Sequence, residues 1–442
     1  MLDRDEDGCN GQQRTTDVHL AFELIPHKLV YGPDALGHHD GRPVFVPRAL
    51  PGERVEVDEV RVAKGAVHGR LLRVLEASPE RIEPPCPYYG RCGGCHYQHI
   101  SPQRQGEVKS EILRETLRRI GKITWNEPIP VHAGHPWNYR NQAQLKVGQL
   151  VDGTATLGFY EAESHRPLGI DSCAILSPRL NAVLEELHQP PWSSRIASCR
   201  EIELLADDRD ERVAITLRGN IDHAAAEALA TALLAEVPGV TRVAVGNDGQ
   251  FRVFGEPRFE YAVGDFRYGI GPGSFFQVSR FLLPELLAVV TNGEAGGLAL
   301  DLFAGVGLFT LPLARRFEQV VAVDADPVAA AALKENAAAH SLANVRTVSS
   351  STEEFLRRFA QGVPDLVILD PPRAGVGAAV LDSLLKLRPG RIHYVSCSPP
   401  TLARDLGHLM GHGHELNSVE LFDFFPQTYH IESLARLTRR SA

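Results

Sequence analysis

The chain has 442 residues, enough for two or three domains, and its 43% hydrophobic and 23% charged residues are the balance of a soluble globular protein. No apolar run is long enough to span a bilayer, the first residues lack a signal-peptide layout, and seven cysteines in so long a chain do not make a secreted disulfide scaffold. The expectation is a cytoplasmic protein. The formal charge of -9 argues weakly against a nucleic-acid binder, although charge distribution matters more than the total. Twelve Lys and Arg lie between Arg61 and Trp125 against six Glu, which taken alone reads as a solvated face with helical ion pairs.

Residues 1–17 are polar and acidic and read as a disordered tail. Residues 18–78 read as short alternating strands, Val44-Phe45-Val46, Arg54 to Val57 and Gly69 to Val74, punctuated by Gly and Pro, which suggests a small OB-like β-barrel. A cysteine segment follows, over 79–97. Ser101 and Pro102 then open a helix with an apolar stripe of Val108, Ile112, Leu113, Leu117 and Ile120, ended by Gly121. Strands and helices mix over 126–274, with one clear helix from Asp222 to about Glu236.

From residue 275 strand and helix alternate. Leu298 to Asp301, Val320 to Asp324, Leu366 to Asp370 and Ile392 to Val395 are continuous apolar runs, as buried parallel strands require. Helices fit Phe309 to Phe317, Pro327 to His340, Val376 to Lys386 and Pro400 to Met410. The fold class is therefore α/β, ending in a doubly wound, Rossmann-like sheet.

The first turn of that sheet holds Gly305 and Gly307, where backbone passes close to a ligand, and Asp324 ends the second strand 23 residues after Asp301. That spacing suits a carboxylate on ribose hydroxyls. Phe303 and Leu308 break the G-x-G-x-x-G pattern, so a nucleoside sulfonium suits the turn better than a pyrophosphate. Upstream, Cys86, Cys92 and Cys95, with Gly93 and Gly94 between the last two, are spaced to hold a metal, and Cys173 follows. Spacing does not separate zinc from an iron-sulfur cluster, and His96 and His99 are further candidate ligands. Cys9 and Cys199 are spare.

Near the carboxyl end stand Ser396-Cys397-Ser398-Pro399 and Phe425-Pro426-Gln427-Thr428-Tyr429-His430-Ile431-Glu432, offering a thiol and a carboxylate, with Asp370-Pro371-Pro372-Arg373 between them and the glycine turn. A nucleophile, a base and a nucleotide-type loop in one domain suggest covalent chemistry on a bound substrate. In this order the motifs resemble the RNA 5-methyluridine methyltransferases, over nearly the whole chain after the tail. The resemblance implies Cys397 as nucleophile, Glu432 as base, and S-adenosylmethionine held by Gln277, Phe303, Gly305, Gly307, Asp324 and Asp370. It further implies a 4Fe-4S cluster on Cys86, Cys92, Cys95 and Cys173. Residues 18–78, through Asp40 to Pro47 and Leu50 to Glu53, resemble the RNA-binding TRAM domain. The implied organisation is a TRAM barrel (18–78), an α+β iron-sulfur domain (79–97 and 126–274), a helix packed on the catalytic domain (98–125) and a methyltransferase domain (275–442).

On this reading the chain is a monomer that methylates carbon 5 of a uridine in RNA, 23S rRNA before tRNA, with Arg373 helping to hold the substrate. The alternative is a catalytically weak RNA-binding iron-sulfur protein, since Leu308, Ser398 and Gln427 depart from the family's usual residues; Ser351 departs too, where the family often contacts the adenine.

Overall fold

The computed structural model describes residues 21–150, 153–247 and 250–440. The expected tail (1–17) and Cys9 lie outside them. The chain divides into two compact units, Met1–Pro79 and Glu80–Ala442.

In the first unit six strands form one mostly antiparallel sheet, in the order Phe22–Leu24, Arg54–Ala63, Ala66–Glu76, Arg42–Pro47, Asp34–His39, Lys28–Leu29. The period of two decides which side chains go inside. Val44 and Val46, and Val55 and Val57, are fully buried while their neighbours are not. The basic residues of this unit are largely spent on cross-strand partners, Arg70 on Asp58 and Arg73 on Glu56.

The second unit holds two large sheets. A seven-stranded sheet runs Pro167–Gly169, Ala155–Tyr160, Gln142–Gln149, Cys199–Ala206, Val213–Gly219, Val240–Asn247, Gln250–Gly255. Helices Pro178–His188 and His223–Glu236 bury Leu180, Leu184, Leu229 and Leu233 in its core. The eight-stranded sheet runs Val345–Ser349, Phe317–Asp324, Gly296–Leu302, Leu366–Leu369, Arg391–Ser396, Glu432–Arg439, His414–Asp423, Val131–Ala133.

Its first five strands are parallel, and the apolar runs of the four after the edge strand Val345–Ser349 are buried; all four residues of Leu366–Leu369 are fully buried. Glu432–Arg439 then inserts antiparallel between Arg391–Ser396 and His414–Asp423. Val131–Ala133, which the sequence placed with the central region, supplies the eighth strand, parallel to His414–Asp423. The order reverses between the first strand, Gly296–Leu302, and Leu366–Leu369, so the carboxyl ends of the parallel strands face one crevice.

Helix Pro102–Arg119 begins as expected, with the Ser101 hydroxyl accepting from the Arg104 N–H and Pro102 in the first turn. Its stripe is shorter than expected. Val108, Ile112, Leu113 and Leu117 are buried, but Ile120 stands at the C-cap and is 47% exposed. Gly121 does not adopt a left-handed cap; a Cβ there would lie 2.5 Å from the Ala403 carbonyl, so the glycine permits close approach to helix Pro399–Gly411. The helix expected over Phe309 to Phe317 is confined to Thr310–Ala314, because Phe317 already begins the next strand.

Candidate active site

The first strand ends at Leu302, and the chain turns through Phe303 (φ +67°), Gly305 (φ +55°) and Gly307 (φ +95°). All three are left-handed, a conformation cheap for glycine and costly for phenylalanine. No atom lies within 4 Å of where a Gly305 Cβ would stand, whereas one on Gly307 would meet Leu333 at 3.0 Å. The Gly305 N–H donates to one carboxylate oxygen of Asp324 (2.7 Å), and the Asp326 N–H donates to the other (2.8 Å). The first of these bonds fixes the acidic strand end against the turn. The Asp326 carboxylate caps helix Pro327–Ala339 through the Val328 N–H.

Behind the turn Asp301 is fully buried, hydrogen-bonded by the Thr310 hydroxyl, and burial pushes its carboxyl up to about 7. Gln277 is 6% exposed. Ser351 is used locally, its hydroxyl capping helix Thr352–Arg358 through the Glu354 N–H.

The thiol and the carboxylate are brought together by strand pairing. Ser396 pairs with Ser433 in the antiparallel ladder, and continuing that register one step sets Cys397 against Glu432. The Ser433 hydroxyl donates to the Ser396 carbonyl and tightens this end of the ladder (3.1 Å). Glu432 is 3% exposed, and its Oε1 is buried with no hydrogen-bond partner among the described residues. Burial and the charge of Asp370 raise Glu432 well above the usual carboxylate range. Asp370 is itself raised to about 7, by burial and then by Asp301. These carboxyl groups cannot all ionise at neutral pH, so at least one proton is retained between them.

The Cys397 thiol is pushed up to about 11, chiefly by burial, then by Glu432 and Asp370. Arg373, exposed beyond the two prolines, opposes the rise in both Cys397 and Glu432. Each of these shifts would be reduced by a cation brought beside the carboxylates.

The thiols of Cys86, Cys92, Cys95 and Cys173 line one cavity of about 40 Å³, with Tyr88, Tyr89 and Arg140 around them. Asn181 fixes Cys173 from both sides: its Oδ1 accepts the Cys173 N–H (2.8 Å) and its Nδ2 donates to the Cys173 carbonyl (3.0 Å). Burial and the neighbouring Cys173 push the Cys95 thiol up to about 12. His96 and His99 do not line the cavity. The His96 ring packs on Tyr429 at 4.7 Å, and His99 Nδ1 bonds the Tyr89 hydroxyl at 2.6 Å. Cys199 is buried at the start of a strand of the seven-stranded sheet. Asp382, His408 and His412 also approach one another, on the surface, away from the expected ligands.

The family model described as tRNA (Uracil-5-)-methyltransferase matches residues 109–440. The chain belongs to this family. It is 35% identical over 450 residues to the 23S rRNA (uracil(1939)-C(5))-methyltransferase RlmD of Alkalilimnicola ehrlichii, covering 98% of this chain and 99% of the relative. It is 34% identical over 457 residues to an RNA methyltransferase of Halalkalibacterium halodurans, covering 96% and 98%. In fold it is similar to the Pyrococcus abyssi tRNA (uracil-54, C5)-methyltransferase in complex with S-adenosyl-L-homocysteine, with a TM-score of 0.72, 24% identity, and coverage of 94% of this chain and 100% of that one. Like the rest of its family, the chain is an RNA methyltransferase acting at uracil carbon 5. Among the described residues no helix is long and apolar enough to cross a membrane.

The sequence missed three buried side chains beside this site: Gln105, Lys109 and Tyr139. Each bonds the segment that leads into Glu432. For the first two the local signal was a polar residue at a position of the helix's buried stripe.

Proposed function

We propose that the chain methylates carbon 5 of a uridine in 23S rRNA through a covalent adduct between Cys397 and uracil carbon 6, with Glu432 as the base. The observation that carries this reading is the Ser396–Ser433 end of the ladder, whose next step sets Cys397 opposite Glu432 on the sheet edge that also presents the glycine turn and Asp370.

Carbon 5 of uracil is a weak nucleophile. Addition of the Cys397 thiolate to carbon 6 makes it an enolate carbon. When bound, S-adenosylmethionine supplies an electrophilic methyl on a sulfonium. Glu432 then takes the proton left on carbon 5; the carbon 5–hydrogen pair restores the ring double bond, and the carbon 6–sulfur pair leaves with Cys397. The residues at the turn fit that donor. Asp324 offers a carboxylate for ribose hydroxyls, the space above Gly305 is open, and Asp370 and Glu432 are carboxyl groups whose ionised forms a sulfonium nearby would favour. Gln277, Phe303 and Gly307 complete the proposed pocket, and Arg373 stands at its RNA side. The target uridine must leave its stack to reach Cys397.

Four cysteines lining one cavity are a donor set that either a 4Fe-4S cluster or zinc accepts, and the family resemblance favours the cluster. We assign a 4Fe-4S cluster to Cys86, Cys92, Cys95 and Cys173, where it would order the loop. The six-stranded first unit is read as the TRAM barrel, and the C-terminal sheet as the Rossmann-like methyltransferase domain.

An RNA carrying 5-fluorouridine tests the mechanism, because fluorine at carbon 5 cannot leave as a proton does. The expected result is a denaturation-stable protein–RNA adduct that needs S-adenosylmethionine and disappears in Cys397→Ala. Product release without an adduct would overturn it.

A further inference from the structure

The segment between strands His414–Asp423 and Glu432–Arg439 is held from outside at consecutive residues. Lys109 Nζ donates to Asp423 Oδ1 (2.6 Å) and to the Phe425 carbonyl (2.9 Å). The Tyr139 hydroxyl donates to the Pro426 carbonyl (3.1 Å). The N–H groups of His96 and Tyr97, directly after Cys95, both donate to the Gln427 carbonyl (2.8 and 2.9 Å). Gln105 and Gln427 bond reciprocally: the Gln427 N–H donates to Gln105 Oε1 (2.7 Å), and Gln105 Nε2 donates to Gln427 Oε1 (3.0 Å). Gln105 Nε2 also reaches the carbonyls of Tyr97 and Ile100, tying the cysteine segment to the same point.

Gln105, Lys109, Tyr139 and Gln427 are each at most 1% exposed. Gln427 is left-handed (φ +68°), a conformation a non-glycine residue keeps only where its surroundings over-determine it. Five residues later stands Glu432, whose Oε1 has no hydrogen-bond partner among the described residues, so no bond at that oxygen sets its aim and the backbone that delivers it matters more.

We propose that Gln105 and Tyr139 are positioning residues for the Glu432 base, acting through the Pro426-Gln427 backbone. This rests on the assignment of Glu432 as base. The arrangement makes a specific demand on the reaction. Cys397 is delivered by a different strand, Arg391–Ser396, so loosening the clamp leaves addition and methyl transfer nearly intact. Only the last step, removal of the carbon 5 proton and release of Cys397, depends on the aim of Glu432. A structural role alone would depress all steps together.

The test uses the full-length protein, S-adenosylmethionine carrying a labelled methyl, and unmethylated ribosomal RNA. Methyl label is followed separately in free RNA and in the denaturation-stable protein–RNA adduct. Gln105→Met removes the amide at similar volume. Tyr139→Phe removes one hydroxyl and no packing, and so remains informative should Gln105→Met fail to fold. The expected result is that release of methylated RNA slows by about tenfold or more in Gln105→Met, and less in Tyr139→Phe, with labelled adduct accumulating, while the first-turnover rate of methyl transfer changes less than about threefold. Equal losses in transfer and release, or no change in either variant, would overturn the proposal. Glu432→Gln is run alongside. If it too fails to accumulate adduct, the base assignment falls and the positioning role falls with it; if it accumulates adduct and the clamp variants do not, only the positioning role falls.

Discussion

Replacing Lys109 by Met removes the donor of a buried ion pair. The ammonium is wholly buried, and its two acceptors, the 5%-exposed Asp423 carboxylate and the Phe425 carbonyl, lose their donor together. Burial pulls Lys109 below its usual range while Asp423 holds it up, so the pair persists only as a pair. Removing one member of a buried ion pair costs about 3–5 kcal/mol, most of it from the charge left behind. Replacing both members spares that cost. Lys109→Met with Asp423→Asn should therefore regain at least about 1.5 kcal/mol over the sum of the two single losses. The assay is urea denaturation at pH 7, followed by far-ultraviolet circular dichroism, on the four proteins of the cycle. A single variant within about 1 kcal/mol of wild type, or strict additivity in the double variant, would refute the reasoning.

Three further outcomes follow from the site. Asp301 has a folded pKa of about 7 against a usual 3.8, so its stabilising contribution is complete below about pH 4 and is lost as pH rises to 7. In ligand-free protein, Asp301→Asn should gain on wild type across that window by up to about 4 kcal/mol and hold constant above it; a gap independent of pH in thermal melts would contradict this. With the Cys397 thiol near 11, its thiolate is scarce at neutral pH, and its alkylation by iodoacetamide, read by mass spectrometry, should rise about tenfold per unit from pH 7 to 9. Arg373→Ala should slow that alkylation further, and a plateau below pH 8.5 would count against the raised thiol. Anaerobically purified protein should carry about four irons per chain, lost in Cys95→Ser; zinc without iron would overturn the cluster assignment.

Legibility in the sequence followed the range of the forces involved. Leu366–Leu369 could be read because a strand buried on both faces must be apolar throughout, and Ser101-Pro102 because a helix start is a local signal. Ile120 was misplaced because periodicity does not report where a helix ends. Strands His414–Asp423 and Glu432–Arg439 went unread, since they mix Glu, Ser and Arg into their runs. Part of the surplus of basic residues before Trp125 is met by acids outside that stretch, Asp58 with Arg70, Glu56 with Arg73, Glu161 with Arg91 and Asp423 with Lys109. The motif residues Cys397, Glu432 and Asp324 could be named from their order along the chain, but not the bonds around them. Gln105 and Gln427 meet across 322 positions, and nothing local in either segment announces the other.

The most direct test of the central claim is transfer of labelled methyl from S-adenosylmethionine to unmethylated ribosomal RNA and to transfer RNA, with Cys397→Ala alongside. The account predicts label at uracil carbon 5 of the 23S RNA, absent from the variant and from transfer RNA. Label on neither RNA, from a protein that still binds the donor, or label that survives loss of the thiol, would contradict it.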